Sequence, residues 1–232
     1  MIAPINNFLT AVFPAASPPL STQAVADVIQ QNQLAGDLLR GTAFYAIQPV
    51  EGFKIPRLLT LSALPVSISD LVHCMNDIDS WGDWMPRFSS SRGRPTGRAG
   101  EQYQEAKMKA AGLSIHYQIL VHNTPMELGH QIYWNLDKTG FKKDMLAMGL
   151  EVNNGSCTFL PLPGRPAETV LAYEIHTQVT PLIPGTVEKI TRTTIEEFPE
   201  FPTNLGNRAL DGNWTRKSRH APLGRTYTMK PA

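Results

Sequence analysis

The chain has 232 residues, 42% of them hydrophobic and 18% charged, with a formal net charge of +1. This is ordinary globular composition, and it is long enough to bury a core without disulfide or metal support. The near-neutral balance argues against a nucleic-acid partner, which needs a basic field, and no apolar run reaches the ~20 residues of a membrane-spanning helix.

The first 20 residues, MIAPINNFLTAVFPAASPPL, are proline-rich and sparsely charged and are predicted to form an arm. No Lys or Arg precedes their apolar piece, so they fit a signal peptide poorly, and the cytoplasm is the expected compartment. From Ser21 to Arg40 the periodicity is helical. Val25, Val28, Ile29, Asn32, Ala35 and Leu39 share one face, with Ser21 or Thr22 as N-cap. This helix is expected to dock on the main body.

Phe44–Ala46 and Arg57–Ala63 read as strands around a loop. In PVSISDLVHCMND, Ser67 followed by Asp70 is a capping-box signature, and Ile68, Leu71, Val72 and Met75 form the apolar stripe of a short helix. The next stretch, DIDSWGDWMPRF (Asp77 to Phe88), holds two of the chain's four tryptophans. Met85-Pro86 ends its helical turn, because the residue before a proline avoids the α conformation.

Strands follow. Leu113, Ile115, Tyr117, Ile119 and Val121 share one face; Ser114, His116, Gln118 and His122 share the other. A turn centred near Thr124–Met126 would pair Val121 with His130, Ile119 with Ile132, Tyr117 with Trp134 and Ile115 with Leu136. Further strands are predicted around Ser156–Leu160 and at Thr169–Val179. In the last, Leu171, Tyr173, Ile175 and Val179 face one way, and Glu174, His176 and Gln178 the other. One dry and one wet face indicate an antiparallel sheet.

The stretch TVEKITRTTIEEF supplies the cover for the dry face, with Val187, Ile190, Thr194 and Phe198 at helical spacing. Pro199 and Pro202 interrupt it, which disfavours one straight helix through both, and a restart before Leu205 is the expectation. From Asp211 on, the chain carries Arg216, Lys217, Arg219, Arg225 and Lys230 and reads as a solvated or loosely packed tail. Cys74 and Cys157 lie in a helical and a strand pattern and read as buried free thiols of a reducing compartment.

No GxGxxG, P-loop, CxxC, HExxH or GxSxG motif is present, and no histidine spacing supports zinc. No cofactor and no metal are expected.

The ordered set of elements resembles the SRPBCC superfamily, the START-like or birch-pollen-allergen-like helix-grip proteins. Similar bacterial members carry apxxVWxxlxDxxxWxxWMPxxxxS where Leu64 to Ser91 reads LPVSISDLVHCMNDIDSWGDWMPRFSSS. The segments IHYQI, YWNL, TVLAYEIHTQVTPLIPG and EFPEFPTNLGNRA are also similar to that family, over about Gly41 to Leu210. Similar sequences often have a tryptophan in the strand where Cys157 stands. The resemblance implies an α+β helix-grip fold: a curved antiparallel sheet wrapped around a long C-terminal helix, with a central apolar cavity. The expected organisation is an arm and docking helix (1–40), the helix-grip domain (41–210) and a basic tail (211–232).

The resemblance also implies a hydrophobic small-molecule site in the cavity, with apolar walls and a few polar groups. Trp84, Met85 and Phe88 would close one end, with Trp81 structural. Ile115, Tyr117, Ile119, Ile132, Trp134 and Tyr173 would line the sheet side, and Ile190, Thr194 and Phe198 the helix side. Two functions follow as expectations. One is binding or carriage of a lipid, isoprenoid or polyketide-like molecule. The other is a cyclase or aromatase that holds a reactive chain in a productive fold, with Tyr117, Tyr173 or Glu105 as acid/base candidates. A third reading, an interaction module using the N-terminal helix or the tail, has less support, since basic tails are commonly just solvated.

The facing of Glu105 turns on the Ala110–Gly112 turn. A three-residue loop with left-handed Gly112 puts Glu105 opposite Tyr117, inside. A two-residue turn puts Ala106 and Met108 there instead. Turn chemistry favours the first. The cost of burying an unpaired Glu and two lysines favours the second, with Glu105 exposed.

Overall fold

A computed structural model describes residues 20–110, 112–139, 150–179, 185–217 and 229–231. Residues 1–19 of the predicted 20-residue arm, most of the PLIPG segment and the part of the tail from 218 to 228 lie outside the described residues.

Helix α1 (Thr22–Gln31) starts where Ser21 accepts the Ala24 N–H, the predicted cap. The predicted helical run is broken at Gln33, which has φ 53°, and resumes as α2 (Ala35–Leu39). Strands β1 (Ala43–Gln48) and β2 (Arg57–Leu64) pair antiparallel. Helix α3 (Ile68–Asn76) follows. Its cap is as read: the Asp70 N–H donates to Ser67 Oγ at 3.2 Å, and Ser67 Oγ donates to Asp70 Oδ2 at 2.7 Å. Replacing Ser67 with Ala is expected to cost about 1 kcal/mol. A chain of this size should then melt about 2–4 °C lower by calorimetry.

A 3₁₀ turn (Ile78–Ser80) and the one-turn helix α4 (Trp81–Trp84) lead into β3 (Phe88–Pro95). A meander follows: β4 (Glu101–Ala110), β5 (Leu113–Met126), β6 (Gly129–Asp137), β7 (Leu150–Leu162) and β8 (Arg165–Val179). The C-terminal cover is a helix pair, α5 (Thr186–Glu197) and α6 (Glu200–Leu210), rather than one uninterrupted helix. Pro199 sits at the N-cap of α6 and Pro202 in its first turn, where backbone N–H groups have no intrahelical partner to lose. Strand β9 (Met229–Pro231) pairs parallel with β1. The sheet order is β3-β4-β5-β6-β7-β8-β2-β1-β9. No helix among the described residues is long and apolar enough to cross a membrane.

Two cores flank this sheet. The inner face packs against α3, α4, α5 and α6 through Leu71, Met75, Ile119, Phe159, Leu171, Ile190 and Leu205. The outer face of β1, β2, β7 and β8 packs against α1 and α2, joining Leu59, Leu61, Leu160, Val170 and Ala172 to Val25, Val28, Ile29 and Leu38. The approach of α1 is fixed by the Leu20 carbonyl, which accepts from Gln131 and from Thr158 Oγ1.

Three expectations are corrected. The outer side of β8 is not wet at Glu174 and Gln178, which are 4% and 6% exposed. Glu174 pairs with Arg57 and accepts from Ser156 Oγ, and Gln178 accepts the N–H groups of Lys54 and Ile55. The β5–β6 hairpin turns at Glu127–Leu128, so Val121 meets Trp134 and Ile119 meets Leu136. The assignment to faces survives, because the slip is an even number of residues. The stretch after Asp211 is not loosely packed at Trp214, which is 5% exposed within the inner core. Arg208 donates to the Trp214 carbonyl, and the Arg216 N–H donates to the Asp83 carbonyl.

Two histidines give the fold a pH dependence. Burial holds His130 and His176 below the ordinary histidine value of 6.5, with the Arg57 charge adding to the effect at His176. A lowered folded value means that the unfolded chain binds more protons once the pH drops below 6.5. Stability is therefore complete above that value and declines as pH falls from it. Urea midpoints taken between pH 7 and about 5 should decline, and less steeply in H176Q.

Candidate functional site

The interior of the grip is built from rings. Trp84 and Trp81 are 0% and 2% exposed. Trp81 donates its indole N–H to the Met75 carbonyl at 3.1 Å, the structural role expected of it. Trp84 lies 6.0 Å from Phe201, while its own N–H meets no acceptor among the described residues. Met85 is extended at φ −73°, ψ 141°, so Pro86 ends α4 as predicted.

On the sheet, Ile115, Tyr117, Ile119, Ile132, Trp134 and Tyr173 are all buried in the inner core, together with Ile190 and Phe198 of the helix pair. Met85 joins them, with Phe88 partly buried at the edge. Tyr173 is the centre: Phe198 stacks on it at 5.0 Å and Phe201 at 3.8 Å, and Trp134 lies 6.3 Å away. Phe88 meets Tyr117 edge-on at 6.4 Å. Trp134 lies against the backbone of β7, where a Cβ on Gly155 would sit 2.3 Å from its ring. Cys157 is fully buried and opposite Tyr173 in the β7–β8 register. These rings face one another between the sheet and the helix pair.

Thr194 is only partly buried. Its hydroxyl donates to the Ile190 carbonyl and accepts from Arg87 Nη1. Glu105 lies outside: Ala106 pairs with Tyr117, so Glu105 pairs with Gln118, half-exposed and 2.7 Å from Arg94. Ala110 pairs with Leu113, the register of the shorter turn, and burial decides it. This removes Glu105 as a carboxylate acting on anything inside the grip.

Several interior polar groups were not singled out from sequence. Thr60 Oγ1 and Ser62 Oγ on the inner side of β2, Asn204 Nδ2 on α6 and Arg87 Nη2 are buried without a partner among the described residues. Asn153 of β7 is hydrogen-bonded with Tyr117. Isolated polar residues at inward positions of otherwise apolar strands were the available signal.

The buried phenols and thiols are held neutral. Burial raises the Tyr117 phenol well above its usual range, opposed by the Asn153 bond, and burial chiefly raises Tyr173. Burial pushes the Cys74 thiol up to about 12 and lifts Cys157 well above its usual value. At neutral pH the two phenols are hydrogen-bond donors rather than bases. Beside α5, a groove of about 670 Å³ is lined by Lys54, Val187, Thr191 and Ile195 among others.

This is the START-like helix-grip fold, and solved structures share it. A STAR-related lipid transfer protein fragment from Xanthomonas axonopodis superposes with a TM-score of 0.62 at 16% identity, covering 72% of this chain and 93% of its own. Human STARD10 gives 0.62 at 11% identity, covering 95% of each chain. The Zhui aromatase/cyclase from Streptomyces gives 0.52 at 12% identity, covering 66% of this chain and 93% of its own. No family model matches the sequence, and no curated protein matches it.

Proposed function

We propose that the chain binds a hydrophobic small molecule, a lipid, isoprenoid or polyketide-like compound, between the sheet and the α5–α6 pair. The observation that carries this reading is the set of buried, unpartnered polar groups among aromatic rings: Trp84 Nε1, Thr60 Oγ1, Ser62 Oγ, Asn204 Nδ2 and Arg87 Nη2. Cores used only for packing satisfy nearly all such groups. A ligand with an apolar body and a few oxygen atoms would satisfy them. Two of the named neighbours, a STAR-related lipid transfer protein fragment and an aromatase/cyclase, support the same direction.

Residues 41–210 would be the binding domain, with Trp84, Met85, Phe88, Tyr117, Trp134, Tyr173, Ile190 and Phe198 at the ligand. The buried free thiols suit a reducing cytoplasm. Purified protein should release a hydrophobic compound on solvent extraction, identified by mass spectrometry, or take one up from a lipid and polyketide panel in native mass spectrometry. An empty protein that takes up nothing from the panel would end the proposal.

The second reading is a cyclase-type enzyme, favoured by the inward Tyr117 phenol and its Asn153 bond. It would work mainly by holding the substrate's fold, with neutral phenols donating to carbonyl oxygens. Cyclisation surviving in the Tyr117→Phe, Tyr173→Phe double variant would remove the phenols from it.

A further inference from the structure

Arg87 follows the Met85-Pro86 step with a left-handed backbone, φ 65°, one of two non-glycine residues with positive φ among those described. Residues in that region persist where the surrounding structure holds them, and they gather at ligand clamps. Arg87 is held at both ends. Its carbonyl accepts the Lys109 N–H at 3.0 Å. Its Nε lies 2.6 Å from Glu197 Oε2 and its Nη1 2.9 Å from Thr194 Oγ1, so the guanidinium ties the start of β3 to α5. The side chain is only 9% exposed.

Two of the three nitrogens are thus occupied. The third, Nη2, is enclosed and has no acceptor among the described residues. The residues next to it and to its partner belong to the aromatic set: Phe88 follows Arg87 and is edge-on to Tyr117, and Phe198 lies one turn beyond Thr194, stacked on Tyr173. A buried guanidinium donor without an acceptor is costly, and a ligand that supplied one would remove that cost.

The charge balance selects the acceptor. Glu197 already neutralises Arg87, so a ligand carboxylate would bring an uncompensated negative charge into a buried place, whereas a neutral oxygen would not.

We propose that Arg87 is the polar anchor of the grip and donates from Nη2 to a neutral carbonyl oxygen, so the preferred ligand is a hydrophobic ketone or ester rather than a hydrocarbon or a free acid. The inference rests on the binding reading above and adds the chemical class of the ligand.

The test uses the full chain and three probes of one shape: 2-acetylnaphthalene, 2-ethylnaphthalene and 2-naphthoate. Affinities are read by tryptophan-fluorescence quenching, and the bound ketone's carbonyl stretch by infrared spectroscopy. The native chain should bind the ketone about tenfold tighter than either other probe, with its carbonyl stretch moved to lower wavenumber. In Arg87→Asn, chosen because Asn tolerates the left-handed backbone, the ketone-to-hydrocarbon ratio should fall to about one and the stretch should return. Should that variant not fold, Glu197→Gln decides: leaving Arg87 uncompensated, it should raise naphthoate affinity about tenfold, and an unchanged value overturns the anchor. Equal affinity of the native chain for ketone and hydrocarbon, or a ketone preference that survives in Arg87→Asn, overturns the anchor and leaves the binding reading standing. Binding of none of the three removes the binding reading and the anchor together.

Discussion

Replacing Glu174 with Ala is expected to destabilise the protein by about 3–5 kcal/mol. Its carboxylate and the Arg57 guanidinium are 5% and 10% exposed, on the neighbouring strands β8 and β2. Truncating Glu174 leaves a cation in a place where water cannot replace the lost partner, and it also strips the Ser156 hydroxyl of its acceptor. A buried pair is a poor source of stability in itself. Replacing both members with apolar residues, Arg57→Met with Glu174→Leu, should therefore recover most of the loss. Urea unfolding of the two singles and the double forms the cycle that checks this. A double variant no more stable than Glu174→Ala would show that the pair has a further role in the sheet.

Trp84→Ala is expected to cost a similar amount, about 3–5 kcal/mol, because a fully buried indole leaves a void that the fixed sheet cannot close. Trp84→Phe should cost much less. The indole N–H meets no acceptor among the described residues, so its removal breaks no bond, and a ring is kept against Phe201. Calorimetric melting of the two variants separates the roles of ring and N–H. A Phe variant as damaged as the Ala variant would show that the N–H has a partner after all.

The inner face of the sheet was legible because the two-residue period of a strand writes it directly: Ile115, Tyr117 and Ile119 all face the core. The caps of α1 and α3 were legible because a capping serine acts within three residues of itself. What escaped depended on distance along the chain. Glu174 reads as an exposed polar residue until Arg57, 117 positions earlier, is set beside it on the neighbouring strand. The β5–β6 register was degenerate, since a slip that preserves parity keeps apolar residues opposite apolar ones. The site showed the same split. Among the candidate rings, the inward facing of Tyr117, Trp134 and Tyr173 followed from strand periodicity, whereas the stacking of Phe201 on Tyr173 depends on how α6 packs on the sheet. Arg87, between a proline and a phenylalanine, reads as a turn residue, and only the placement of Thr194 and Glu197 gives it a role.

Strand β2 is buried along its whole length and β8 from Thr169 to Glu174, with helices on both sides, whereas α5 turns Glu188, Arg192 and Glu196 to solvent. This divides the protein mechanically into a fixed wall and a yielding one. Amides such as those of Leu61 and Ala172 should exchange with deuterium only when the whole chain unfolds, while those of Thr191 and Ile195 exchange through smaller local openings. A molecule reaching the rings would then pass by the lifting of α5, and its residence time would be set by that helix rather than by the sheet.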